Sequence, residues 1–240
     1  MTNPKLDEFV EKLKAATANN LKSVILYGSA ATGEFHAKHS DLNLLCVVGD
    51  ADAKQIEALH DAVQWWTKKG HRAPLVFTLE ELKRSADVFA IEMLDMKFHH
   101  KILFGQDTLT DIAVPLHYHA IQVERELRTD WLRLRQAILA APKKSKIYLE
   151  LMTSSFSVFT ALFRHALIAM GEAPAASKRE AIERISKFSG ADPAGFFVIL
   201  DHREGKKEAQ EMDVERTLNQ YFVLVEAVTD KFDLWLDTKA

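Results

Sequence analysis

Residues 27–48 read YGSAATGEFHAKHSDLNLLCVV. A short apolar run, Ser23 to Tyr27 (SVILY), leads into Gly28-Ser29 and reads as a buried strand stopped by glycine. An eleven-residue spacer, 30–40, then reaches Asp41-Leu42-Asn43, and Asp41 to Val48 reads as a second strand ended by Gly49-Asp50. Gly28 lets the backbone turn sharply and approach a ligand closely. Ser29 and the amides after it can donate hydrogen bonds to phosphate oxygens. Asp41 and Asn43 stand two apart on a strand, so their side chains share a face, while Leu42 and Leu44 point into the core behind them. Two oxygen ligands on one face, beside a phosphate-binding turn, suit a Mg²⁺ ion holding a nucleoside triphosphate.

The rest of the chain gives this segment a setting. Before it, Asn3-Pro4 reads as an N-cap and first helical residue, followed by Leu6, Phe9, Val10 and Leu13 at helical spacing. After it, Ala53 to Lys69 reads as a helix with Ile56, Leu59, His60 and Val63 on one side, and Gly70 stops it. Arg72 to Thr78 reads as a third strand, in which Pro74 argues for an edge position or a strand start. Thr78 with Glu81 forms a capping-box pattern for the next helix. Val88 to Phe104 mixes helix with a late strand ending at Gly105. Beyond this point the pattern is all helical: Pro115 to Ala141, Tyr148 to Met170, Lys178 to Phe188, Pro193 to His202 and Val214 to Leu236. The expectation is an α+β protein: a small mixed β-sheet domain over residues 1–110, then an all-α helical bundle over 111–240.

The Gly-Ser turn, the spacer and the Asp-x-Asn on the next strand resemble the signature of the DNA polymerase β-like nucleotidyltransferase superfamily, in particular its kanamycin nucleotidyltransferase-like and MNT-type members. Many of these also carry a C-terminal helical domain. The resemblance implies that Gly28 and Ser29 contact the triphosphate of ATP or another nucleotide and that Asp41 ligates Mg²⁺. It implies transfer of a nucleoside monophosphate to a small-molecule or protein acceptor. The chain departs from the pattern at Asn43, where the family carries a second aspartate; an amide oxygen can ligate Mg²⁺ but brings no charge. A third carboxylate is also required, and the strand Arg72 to Thr78 contains no acid. Glu80, Glu81, Asp87 and Glu92 are the nearest acids, with Glu81 better explained as a cap and Asp87 or Glu92 able to serve only if the chain folds back. Two readings follow: an active transferase with an altered metal site, with Asp41 and Asn43 as its catalytic and metal-binding pair, or a degenerate member that binds a nucleotide or a protein partner, as a regulatory or antitoxin-like module.

Composition narrows the field. A net charge of −3 and a pI near 6.4 argue against a general nucleic-acid binder. The single cysteine, Cys46, excludes an intrachain disulfide framework and fits a reducing cytoplasm. No apolar run approaches the ~20 residues of a membrane span, and the N-terminus shows no signal-peptide core. Gly28 to Gly33 superficially resembles a P-loop, but Glu34 stands where the phosphate-binding lysine belongs. His36, Lys38 and His39 read as a solvated loop that can touch phosphates. His99-His100, His117 and His119 lack partners at zinc-ligand spacing. Arg164-His165 are adjacent, so they point about 100° apart and do not form the paired helical motif of an RNase. Lys143, Lys144 and Lys146, together with Lys178-Arg179 and Lys206-Lys207, read as solvated charge runs, with a triphosphate contact as the alternative. Phe156, Phe159, Leu162 and Phe163 read as core. Of Trp65-Trp66 only one can face the core fully, and the other marks a domain or subunit contact, so an oligomer is open.

Overall fold

The computed structural model describes residues 4–31 and 42–239. The chain divides into two compact units, Met1–Pro115 and Leu116–Ala240.

In the first unit, α1 (Pro4–Thr17) leads through a short 3-10 turn into β1 (Leu21–Tyr27). After β1 come β2 (Asn43–Val48), α2 (Ala53–Ala58), α3 (His60–Thr67), β3 (Leu75–Thr78), α4 (Leu79–Arg84), α5 (Ala90–Phe98) and β4 (His100–Gly105). The four strands form one sheet in the order β3-β2-β1-β4. β1 is antiparallel to both β2 and β4, and β2 is parallel to β3, so the sheet is mixed as expected. Alternation along β2 and from Val24 to Tyr27 of β1 splits the core in two. Val24, Leu26, Leu42, Leu44, Cys46 and Val48 pack with Phe9 and Leu13 of α1 and Trp66 of α3 on one face. Ile25, Leu45 and Val47 pack with Leu82 of α4 and Met93 and Met96 of α5 on the other. Both central strands are therefore nearly continuous apolar runs, the pattern that burial on two faces demands. Cys46 is one of these core residues, and burial pushes its thiol up to about 12, so it is no nucleophile.

Two details differ from the sequence reading. The expected helix from Ala53 to Lys69 is two helices, because the chain tightens at Leu59, whose N–H bonds to the carbonyl of Ile56 at 3.1 Å. Leu59 is buried, while Ile56, expected on the same inner side, is 44% exposed. The third strand begins at Leu75 rather than Arg72, directly after Pro74. It lies at the edge of the sheet, where the missing proline N–H removes no ladder bond.

The second unit is helical: α6 (His119–Ala140), α7 (Ser145–Ala169), α8 (Lys178–Ser189), α9 (Ala194–Arg203) and α10 (Val214–Asp237). Its core is aromatic, with Phe196 of α9 stacked on Tyr221 of α10 at 4.0 Å between ring centres and Phe156, Phe159 and Phe163 of α7 around them. The side-chain oxygens of Ser177 and Asp213 cap α8 and α10. α7 is long and apolar enough to cross a membrane by length and composition, but half of its most apolar window is buried inside the protein, as in the core helix of a bundle.

Candidate functional site

Four strand ends meet at one edge of the first unit. Asn43 opens β2 and pairs directly with Tyr27, the last residue of β1. Tyr27 pairs in turn with His100, the first residue of β4. Directly paired residues point to the same face. Asn43, Tyr27 and His100 therefore form a row on the face covered by α4 and α5, in line with Leu45 and Ile25 behind them. β3 runs parallel to β2, so its N-terminal end, preceded by Arg72, belongs to the same edge.

Gly28 follows the row immediately. Its φ of +77° lies in the left-handed region, its N–H donates to the carbonyl of His99 at 2.9 Å, and its own carbonyl accepts from Ala31 at 2.9 Å. This closes a 3-10 turn, Gly28–Ala30, at the end of β1. A methyl group at Gly28 would lie 3.5 Å from Nδ2 of Asn43, an ordinary contact, so the backbone conformation and not the space explains the glycine. The structure thus brings Gly28 and Asn43 side by side, as their spacing suggested. Ser29 sits on the same turn, with its side chain outside the described atoms. Asp41, His36, Lys38 and His39 lie outside the described residues.

The acids near the site divide sharply. β3 carries none. Glu81 is committed to the start of α4: its carboxylate accepts from the N–H of Thr78 at 2.7 Å and from the Thr78 hydroxyl at 2.9 Å, and these bonds lower its pKa. Asp87 accepts from the N–H of Val88 at 2.9 Å. Glu92, in the first turn of α5, is among the described acids the one whose charge reaches Tyr27 at the strand ends. The Tyr27 phenol has a raised pKa, chiefly through burial; Arg72 works against this rise and the negative charge of Glu92 adds to it. Arg72 and Glu92 therefore both lie within electrostatic reach of the central residue of the row.

Sequence reasoning missed Tyr27, Arg72 and the pair His100–Asp107. His100 was weighed only as a zinc ligand. In the fold its Nε2 is 3.1 Å from Oδ2 of Asp107 and its Nδ1 is 3.2 Å from the carbonyl of Lys97. Asp107 also accepts from the N–H groups of Leu109 and Thr110 and from the Thr110 hydroxyl, at 3.0, 3.2 and 2.7 Å. Burial opposes ionisation of Asp107, but the bonds from Thr110, His100 and the two amides prevail and hold its carboxyl at about 2. The signal for this arrangement lay in the start of β4, since a strand beginning at His100 places that ring beside Tyr27.

Among the described residues the donor set does not suit a pair of catalytic Mg²⁺ ions. Ions ~3.5–4 Å apart repel one another by about four times the ~4 kcal/mol of a unit-charge pair at that distance near a protein surface. Carboxylates normally offset that repulsion, yet Asn43 is neutral and a guanidinium stands near by. Among the described residues no three His, Cys, Asp or Glu side chains converge as metal ligands. In the helical unit the histidine expected beside His117 has a structural setting: His119 and His165 are both buried, with Nε2 of one 3.0 Å from Nδ1 of the other. Two of the basic residues noted there are in ion pairs, Arg179 with Asp201 and Lys206 with Glu204, both at 2.6 Å.

No protein-family model matches the sequence, and no curated protein matches it significantly. Among solved structures, spectinomycin adenyltransferase AAD(9) from Enterococcus faecialis, with ATP and spectinomycin, aligns over 94% of this chain and 100% of its own, with a TM-score of 0.54 and 13% identity. A toxin–antitoxin structure with AMP-PNP covers 56% of this chain and 98% of its own at 17% identity, and its TM-score of 0.31 is too low to bear on the fold. At 13% identity the first likeness concerns architecture alone, and it agrees with the mixed four-stranded sheet followed by a helical region: the chain has an α+β, nucleotidyltransferase-like fold.

Proposed function

We propose that the strand-end edge binds a nucleoside triphosphate and that the protein transfers the nucleoside monophosphate to an acceptor. The observation that supports this most is the Gly28 turn beside Asn43 within a nucleotidyltransferase-like fold. In this reading the backbone N–H groups of the turn and Ser29 hold phosphate oxygens, as a turn of this kind does elsewhere. Asp41 and the amide oxygen of Asn43 would hold a single Mg²⁺ brought by the nucleotide, and that ion would supply neutralisation of the phosphate charge. An acceptor hydroxyl attacks the α-phosphorus, the bond to the bridging oxygen breaks, and pyrophosphate leaves. The hydroxyl proton passes to Glu92, the carboxylate whose charge reaches the row. The acceptor is a small molecule in the structural neighbour, which was solved with ATP and spectinomycin, and a small hydroxylated molecule is the acceptor class we carry over.

Asn43 favours a second reading, a member that holds a nucleotide and transfers nothing, because it removes one charge from the metal ligands. Calorimetric titration with ATP and GTP, with and without Mg²⁺, tests binding. Micromolar affinity that falls by about tenfold or more in Asp41→Ala supports a site at Gly28, Ser29 and Asp41. Folded protein that binds no nucleotide sinks both readings. Glu92→Gln separates them: the transferase reading requires that nucleotide still binds while pyrophosphate release in the presence of acceptor falls by about 100-fold or more.

A further inference from the structure

We infer that Arg72 occupies the electrostatic role of a second divalent cation, so that this site holds a nucleoside triphosphate with a guanidinium and at most the one metal ion that arrives with the nucleotide. The inference rests on the proposed nucleotide site and says how that site works without a full set of carboxylates.

Three observations carry it. The first is Asn43, a neutral amide at the start of β2, on the face shared by Tyr27. A divalent cation held by an amide lacks the anionic ligand that would offset its repulsion of a second cation. The second is the parallel register of β3 on β2, in which Leu75 pairs with Leu45. Arg72 precedes Leu75 by three residues, so it stands just before the N-terminal end of β3, at the same end of the sheet as Asn43. The third is that the positive charge of Arg72 reaches Tyr27, the direct cross-strand neighbour of Asn43. One ring thus reports a guanidinium from the β3 side and adjoins the neutral amide on β2.

A guanidinium has the same sign as the missing ion, is always charged, and presents a planar fork of donors that matches two phosphate oxygens. It also repels a second divalent cation from the place it occupies. A neutral amide at position 43 and a guanidinium near by are therefore mutually consistent: each makes the other tolerable. Arg72 is solvent-exposed, so it meets a charged ligand without first leaving a core. The opposite charge within reach of Tyr27, Glu92, is likewise exposed and comes from the first turn of α5. A triphosphate over the row would take Arg72 as its partner and leave Glu92 on the acceptor side.

The test is ATP binding by calorimetry in Mg²⁺ and in EDTA, on the full chain and on Arg72→Ala, Arg72→Lys and Asn43→Asp, each first shown to be folded by circular dichroism. The full chain should still bind ATP in EDTA, with the dissociation constant raised by less than about tenfold. Arg72→Ala should weaken binding in EDTA by about tenfold or more, and Arg72→Lys should recover part of it, because an ammonium keeps the charge and loses the fork. Asn43→Asp should make binding more dependent on Mg²⁺. If EDTA abolishes binding and Arg72→Ala leaves the affinity in Mg²⁺ unchanged, the inference is overturned while the nucleotide site stands. If the folded full chain binds no nucleotide in either buffer, the nucleotide site falls and this inference with it.

Discussion

At the scale of single residues, the strand-end edge is a place where charge is distributed unevenly over a short distance. Asn43 is neutral, Arg72 and Glu92 act on Tyr27 with opposite signs, and His100 is tied to Asp107. The Asp107 carboxylate is the most strongly held of these groups, and its effect on stability has a definite sign. Its pKa is lowered from 3.8 to about 2 in the folded protein. A depressed carboxyl contributes stability that is fully present above the unfolded value and is lost as pH falls through the folded one. Asp107→Asn should therefore destabilise the protein near neutrality, by roughly 1–2 kcal/mol for a carboxylate that accepts four hydrogen bonds. The gap between the two proteins should narrow from about pH 4 down to about pH 2. Urea unfolding at pH 7 and at pH 2.5 measures this. A gap that is constant or wider at low pH would show that the carboxylate charge is not what stabilises the loop.

The elements explain why the row exists at all. β1 is the central antiparallel strand with a neighbour on each side, so its last residue, Tyr27, has Asn43 on one flank and His100 on the other. That register depends on the opposite end of β4. Gly105 pairs with Ser23, and a methyl group there would fall 1.9 Å from the carbonyl oxygen of Lys22, a backbone atom that cannot swing away. The hydroxyl of Ser23 bridges the carbonyls of Phe104 and Gln106 at 3.1 and 2.8 Å, which pins the same corner. Gly105→Ala should cost roughly 3 kcal/mol or more, the combined effect of a left-handed backbone and a backbone clash. Gly28→Ala shares the positive φ but meets only an ordinary contact, so it should cost about 1 kcal/mol. Thermal melts of the two variants should separate clearly. Equal shifts would mean that the close approach of β4 to β1 is not what Gly105 is for.

At the scale of the whole molecule, each of the two units has a core of its own. The first packs apolar side chains on both faces of one sheet. The second buries Phe156, Phe159, Phe163, Phe196, Tyr221 and Phe232 among its helices. We propose that the helical unit folds by itself, since its aromatic side chains pack on one another. A chain of residues 116–239 should show a helical circular dichroism spectrum and a single cooperative melt. A non-cooperative melt would mean that the sheet unit supplies part of its stability.

How much of this was legible in advance follows from the range of the forces involved. Apolar runs, glycine stops, Pro74 and the Thr78–Glu81 cap act over a few residues, and they located the first three strands and the five bundle helices to within a few positions, and the fourth strand only by its end at Gly105. That Gly28 and Asn43 would be neighbours could be read for the same reason: one turn and one strand start lie close in sequence and carry a recognisable spacing. Arg72, Glu92 and His100 were not, because nothing local distinguishes an arginine at a loop end or a glutamate in a first helical turn. They acquire meaning through strand order. Only the arrangement β3-β2-β1-β4, with α5 laid back over the face of β1, brings a guanidinium, an amide, a phenol and an imidazole to one edge. By itself the sequence determined the alternation that buries both faces of β1 and β2, since side-chain direction reverses at each residue of a strand. The tertiary structure decided which charges share the site, because electrostatic interaction depends on distance in space and is indifferent to separation along the chain.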